Sequence, residues 1–174
     1  VNGVAQGYSV DVISKFFEGK GIRNYLVEIG GEVRSKGTNA KNMIWRVGID
    51  RPADDNMTPG SQLEAIVELN NKSLTTASNY RKFFVENGVK YGHTIDPKTG
   101  FPAKNTLLSA TVVSDDAVTA DAWDTAFMVL GLEKSKEILK KLHGIDVYFI
   151  YSNEKGEYEI YCSDGLKKMI VEQK

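Results

Sequence analysis

Apolar positions along the chain change period several times, and each change predicts an element. Within Ser9–Glu18, Val10, Ile13 and Phe17 fall at helical spacing, with Gly19 and Gly21 closing the pattern, which predicts one amphipathic helix capped by Ser9. Short β-branched and aromatic runs follow at Tyr25–Ile29, Glu32–Gly37 and Ile44–Ile49. Glycine or asparagine bounds them, as strands with tight connections require. Arg51–Gly60 carries two prolines, two aspartates and an asparagine, the chemistry of an exposed loop. Leu63–Leu69 alternates, Lys72–Thr76 follows the Asn70-Asn71 connection, and Phe83–Val85 can pair with Val89–Tyr91 across Glu86-Asn87-Gly88, so the stretch reads as a run of hairpins. After an alternating Leu107–Ser114, Ala117–Leu130 meets no breaker before Gly131 and predicts a helix. Leu132–Leu142 predicts another, ending near His143-Gly144. Val147–Tyr151 and Glu159–Cys162 predict a closing hairpin around Asn153–Gly156. Helix, many antiparallel strands, two helices and two strands make an α+β fold, with helices packed against a largely antiparallel sheet.

Composition narrows this picture. A chain of 174 residues, 41% hydrophobic, predicts one domain, residues 1–174, around one core. Lysine and arginine number 22 against 23 aspartates and glutamates, so no basic field gathers phosphates from a polynucleotide, and nucleic acid is not an expected partner. The single cysteine, Cys162, excludes an intrachain disulfide framework and a Cys-rich zinc site. No apolar run approaches the roughly 20 residues that span a bilayer as a helix. The chain begins at Val1-Asn2-Gly3 rather than methionine, from which processing or truncation is expected.

Three segments carry residue types that a fold alone does not require. Val4 to Asp11 places small residues, Ala5 and Gly7 among them, at the expected mouth of the first helix, where free N–H groups suit a diphosphate. An ordinary helix start explains the same residues, and taken alone it is the better reading. Tyr91 to Pro102 runs from a strand into a rigid turn in which Asp96, Lys98, Thr99 and Gly100 offer a carboxylate, a cation, a hydroxyl and an open backbone to a phosphate. His93 lies at its start, and a histidine satisfied between strands stands level there with a functional one. Thr119 to Ala126 opens the later helix. Asp121 and Thr125, four apart, share a face beside small Ala122 and Ala126, and a carboxylate with a hydroxyl is hard-oxygen chemistry suited to Mg2+. An acidic first turn complementing the helix dipole is the alternative. It covers Asp115, Asp116 and Asp124, and for Asp121 with Thr125 it stands level with the metal site.

Taken in order, these segments resemble the signatures of the FAD:protein FMN transferase family, the ApbE family. Ala5-Gln6-Gly7-Tyr8-Ser9-Val10-Asp11 is similar to its Ala-Lys-Gly-Tyr-Ala-x-Asp element. Gly30-Gly31-Glu32 is similar to Gly-Gly-Asp, and Thr76-Ala77-Ser78-Asn79-Tyr80 to Thr-Ser-Gly-x-Tyr. His93 through Pro102 meets His-x-Ile-Asp-Pro-x-Thr-Gly-x-Pro at every defined position, and Ala120 through Ala126 meets Ala-Asp-Ala-x-x-Thr-Ala. Gln6 stands where lysine is frequent, Glu32 where aspartate is, and Ala77 where serine is. The resemblance runs from about Ala5 to Gly131.

It implies an ApbE-like α+β fold and a chain that is the C-terminal part of a flavin transferase, the N-terminal part, with its share of the flavin pocket, being absent. It also implies FAD as substrate, Mg2+ held by Asp121, Thr125 and the Ala5 carbonyl, and nucleotide contacts from Ala5, Gln6, Gly7, Asp11, Glu32, His93, Asp96, Lys98 and Thr99. The implied reaction is FMN transfer to a Ser or Thr hydroxyl of an acceptor protein with release of AMP, His93 serving as base. FAD pyrophosphatase activity giving FMN and AMP, or a non-catalytic flavin-binding module, are the alternatives. A chain lacking half its pocket is expected to self-associate as a homo-oligomer. For the full-length protein the resemblance suggests the bacterial cell envelope or periplasm and a membrane-anchored lipoprotein.

Overall fold

The computed structural model describes residues 2–52, 58, 60–79, 83–86, 89–92, 94–103 and 105–173. In chain order the elements are α1 (Asn2–Gly19), β1 (Tyr25–Ile29), β2 (Glu32–Lys36), β3 (Trp45–Asp50), β4 (Leu63–Leu69), β5 (Ser73–Ser78), β6 (Phe83–Glu86), β7 (Val89–Gly92), β8 (Leu107–Ser114), α2 (Ala117–Leu130), α3 (Leu132–Leu139), β9 (Asp146–Ser152), β10 (Tyr158–Cys162), α4 (Asp164–Lys167) and β11 (Ile170–Gln173). A six-stranded antiparallel sheet, β1-β2-β5-β8-β9-β10, forms the middle layer; β11-β4-β3 makes a smaller sheet and β6-β7 a ribbon. The fold is α+β with helices on an antiparallel sheet, as the periodicity predicts.

Alternation explains how the middle layer serves two faces. Along β9, Val147 and Phe149 join Ala110 and Val112 of β8 beneath Ala120, Phe127 and Met128 of α2. The intervening Tyr148 and Ile150 point the other way and pack with Val67 and Leu69 of β4 and Leu166 of α4. Both faces of β8 and β9 are therefore covered, which is why these strands are buried almost throughout. A third cluster, Val10, Tyr25, Val27 and Ala117, seats α1 against β1 and the start of α2.

Several expectations need correction. The Asn70-Asn71 connection is not a hairpin turn: β4 belongs to the small sheet and β5 pairs with β2 and β8, so the chain changes layers there. Helix α1 begins at Asn2, not Ser9, and Ser9 is no cap; its hydroxyl donates to the Ala5 carbonyl at 2.8 Å inside the helix. Helix α3 stops at Leu139, because Lys141 and Leu142 donate to Ile138 and Leu139, three residues back, and His143 lies beyond it. The short α4 and β11 carry too few residues to show a period, and the sequence reading has no counterpart for them. His93, Tyr80, the Asn87-Gly88 connection and residues 53–57 and 59 of the expected loop lie outside the described residues.

Candidate active site

Helices α1 and α2 meet along matched residues one turn apart. A Cβ on Gly7 would sit 2.4 Å from the Ala117 carbonyl oxygen and 2.8 Å from Asp121 Cβ; one on Gly3 would sit 3.0 Å from Thr125 Cγ2 and 3.3 Å from its hydroxyl oxygen. Only glycine permits so close an approach at Gly7. The Gly7 amide uses it, donating to Asp121 Oδ2 at 2.9 Å. Asp121 and Thr125 thus face the same stretch of α1, the one containing Ala5. Gly3 departs from helical geometry, with φ −80° and ψ 20°, so α1 is kinked beside Thr125.

This geometry alters the sequence picture of the α1 segment. Because the helical geometry breaks at Gly3, Ala5 lies in the first turn of the regular part of α1, and among the described residues the α1 amide that donates to a site side chain is that of Gly7, to a carboxylate. Asp11 is committed elsewhere. Its oxygens accept from the amides of Ala117 and Val118, at 3.1 and 2.9 Å, and from the Arg34 guanidinium at 2.5 Å. An α1 carboxylate thereby neutralises the N-terminus of α2 across 106 residues of sequence. Gln6 reaches β1–β2 instead: a Cβ on Gly30, whose φ is +68°, would collide with the Gln6 carboxamide nitrogen, and Glu32 lies beside it.

Electrostatics separate the carboxylates. Burial pushes the Asp121 carboxyl above the ordinary range, and the Gly7 hydrogen bond pulls it back. Asp124, 1% exposed, is raised far more strongly by burial, with the Thr75 hydroxyl opposing and the neighbouring Asp121 and Glu32 adding to the rise. Asp124 is therefore not a dipole-complementing surface residue as its sequence position suggests. That part falls to Asp116, which caps α2 by accepting from the Thr119 amide at 2.8 Å, while Asp115 pairs with Lys72. Thr125 donates its hydroxyl to Asp124 Oδ1 at 3.2 Å. Among the described residues no three His, Cys, Asp or Glu side chains converge to hold a metal ion. A cation between the helices would depend on one carboxylate with hydroxyl and carbonyl oxygens.

The Asp96 turn is built by its own polar groups. Lys98 N donates to Asp96 Oδ1 at 2.9 Å, the amides of Thr99 and Gly100 donate to the Asp96 carbonyl, and Phe101 N donates to Thr99 Oγ1. A bridge between Ile95 and Pro102 closes it, and Thr94 ties it to Asn79. Asp96 and Thr99 thus shape the turn, and Lys98 extends from it exposed.

The family model for ApbE matches residues 1–149. The chain belongs to the ApbE family. Among its relatives, the FAD:protein FMN transferase of Escherichia coli K12 is 37% identical over 171 residues, 98% of this chain and 47% of that protein. The Haemophilus influenzae protein of the same name is 36% identical over 170 residues, 97% of this chain and 47% of its own length. The solved flavin transferase ApbE from Vibrio cholerae superposes with a TM-score of 0.82 at 35% identity, covering 95% of this chain and 50% of that one. The ApbE protein of Thermotoga maritima gives 0.81 at 30% identity, covering 98% and 52%. The chain thus spans about half the length of the curated ApbE relatives that it matches.

What the sequence reading missed at this candidate site was nevertheless written in the sequence. Gly3 and Gly7 are four apart, as are Ala117, Asp121 and Thr125, the spacing by which two helices interlock closely. Asp124 sits in register with Ala117, Ala120, Phe127 and Met128 on the sheet-facing stripe of α2, so its burial follows from the helical period.

Proposed function

We propose that the protein transfers FMN from FAD to a Ser or Thr hydroxyl of an acceptor protein, with Mg2+ as cofactor and AMP as the other product. The observation carrying this reading is that Asp121 and Thr125 face α1 together, opposite Gly7 and Gly3 on either side of Ala5. The relatives' shared name, FAD:protein FMN transferase, supplies the substrate and the kind of acceptor.

The donor set suits the ion. Asp121 gives one oxygen to the Gly7 amide and leaves the other without a hydrogen bond among the described residues. Thr125 gives its hydrogen to Asp124 and leaves its oxygen lone pairs for a ligand. Hard oxygens in small number match Mg2+, which keeps several waters and substrate phosphates in its shell. The Ala5 carbonyl can join only if the Ser9 hydroxyl releases it. When bound, Mg2+ supplies positive charge to offset that of the diphosphate. In the reaction the acceptor oxygen forms a bond to the FMN-side phosphorus, the bond from that phosphorus to the bridging oxygen breaks, and AMP departs. The hydroxyl proton passes to His93, assigned by its motif position. An imidazole of ordinary pKa, about 6.5, suits that task near neutral pH. Gly7 fixes the Asp121 carboxylate, and Gln6, Glu32 and the Asp96–Thr99 turn are the nucleotide-side candidates.

The test is incubation with FAD, Mg2+ and a threonine-containing acceptor peptide, read by mass spectrometry. The expected result is addition of FMN to the peptide and a loss on the order of a hundredfold in Asp121→Ala, the scale seen when one transition-state stabilising group is removed. Free FMN beside an unmodified peptide would instead identify hydrolysis.

A further inference from the structure

Asp124 is a buried carboxylate that the proposed reaction does not use. It lies on the sheet side of α2, with Thr75 of β5 beneath it and Asp121 and Glu32, both of like charge, as its charged neighbours. No cation pairs with it among the described residues, so nothing in its surroundings explains an acidic group there on grounds of stability. What it does hold is the hydrogen of Thr125.

A threonine in a helix usually turns its hydroxyl back to the carbonyl of the preceding turn. Here that hydrogen goes to Asp124 Oδ1 at 3.2 Å. A hydroxyl whose hydrogen is fixed on one side presents its lone pairs on the other. Gly3 leaves room beside that oxygen, since a Cβ there would come within 3.3 Å of Thr125 Oγ1. We propose that Asp124 is a positioning residue: it holds the Thr125 hydroxyl hydrogen so that the Thr125 oxygen acts as an acceptor toward a hard cation held where Asp121 and Thr125 face α1. This rests on the reading of Asp121 and Thr125 as the cation-holding pair.

The experiment is a titration with Mn2+ in the presence of FAD, followed by the loss of the free-ion EPR signal, with thermal unfolding recorded for each variant. Asp124→Ala is expected to weaken Mn2+ binding about tenfold, the lower end of what loss of a ligand's supporting partner costs. Asp124→Asn keeps an oxygen that accepts the same hydrogen and is expected to stay within about threefold of the parent. In a Thr125→Val background Asp124→Ala is expected to cause no further loss, because the group it orients is gone. A general structural role would weaken binding equally in both backgrounds, and that result overturns the proposal. So does an Asp124→Asn variant as weak as Asp124→Ala, and if Asp124→Ala fails to fold, a tenfold loss in Asp124→Asn overturns it alone. Asp121→Ala separates the two readings. If it abolishes Mn2+ binding while Asp124→Ala leaves it intact, only the positioning role falls; if Mn2+ binding survives Asp121→Ala, the cation pair itself is wrong and the positioning role goes with it.

Discussion

Asp11, Asp121 and Asp124 are all less than 5% exposed, at 4, 4 and 1%, and what separates them is the company each keeps. Asp11 collects two backbone amides and a guanidinium, Asp121 a single amide, and Asp124 the Thr125 hydroxyl among like charges. Spacing in the sequence puts Asp121 and Thr125 on one face of a helix, because one turn of separation needs only helical geometry to be recognised, and leaves a cation site level with an ordinary acidic first turn. It does not distinguish Asp11 as a clamp, since its partners stand 106 and 107 positions away. Elsewhere on the chain, burial pushes the Cys162 thiol up to about 11 from an ordinary 9.0. At pH 8 its thiolate fraction should be roughly a hundredfold below that of an unperturbed thiol. Alkylation by iodoacetamide, followed by mass spectrometry, is expected to be slow at pH 8 and to accelerate as the pH rises toward 11. A rate at pH 8 matching that of free cysteine would show the thiol to be solvated.

Contact between two helices, rather than either helix alone, makes the candidate site. Gly7→Ala would place a methyl 2.4 Å from the Ala117 carbonyl oxygen and 2.8 Å from Asp121 Cβ, so α1 and α2 must part. The expected cost is about 1–3 kcal/mol of stability, with loss of the Gly7–Asp121 hydrogen bond. Gly19→Ala, at the far end of the same helix, meets no heavy atom within 4 Å and is expected to be neutral or stabilising by up to about 1 kcal/mol. Urea denaturation of the pair measures the difference, and equal midpoints would mean that the helices have slack at Gly7. Both helices and most strands are legible from period alone, since each element's pattern is local. The β4–β5 turn is not, because a two-residue connection looks the same whether the strands pair or part into separate sheets. Nor is the start of α1: the apolar period begins only at Val10, whereas packing against α2 carries the helix back through Gly7 despite its poor helix propensity.

The middle sheet joins two hydrophobic layers into one body. Trp123 packs on the helical side, stacked on Phe127 at 5.3 Å, and Trp45 lies on β3 of the small sheet; these are the only two tryptophans. Trp45→Phe and Trp123→Phe variants therefore report opposite layers by fluorescence. Their denaturation midpoints are expected to coincide, and Phe127→Ala, removing a fully buried ring at a cost of about 3–5 kcal/mol, should lower the Trp45 signal's midpoint as much as the Trp123 signal's. Separate midpoints would show two independently melting layers. On this scale the Asp11 clamp has an electrostatic consequence. A helix that carries its own built-in counterion has little pull left for a visitor's phosphates, so α2 cannot act as the anion trap that helix starts commonly provide. On the function proposed above, the counter-charge for a dinucleotide would be imported with the ligand or donated by side chains, because the amides at the start of α2 are already spent on Asp11 and Asp116.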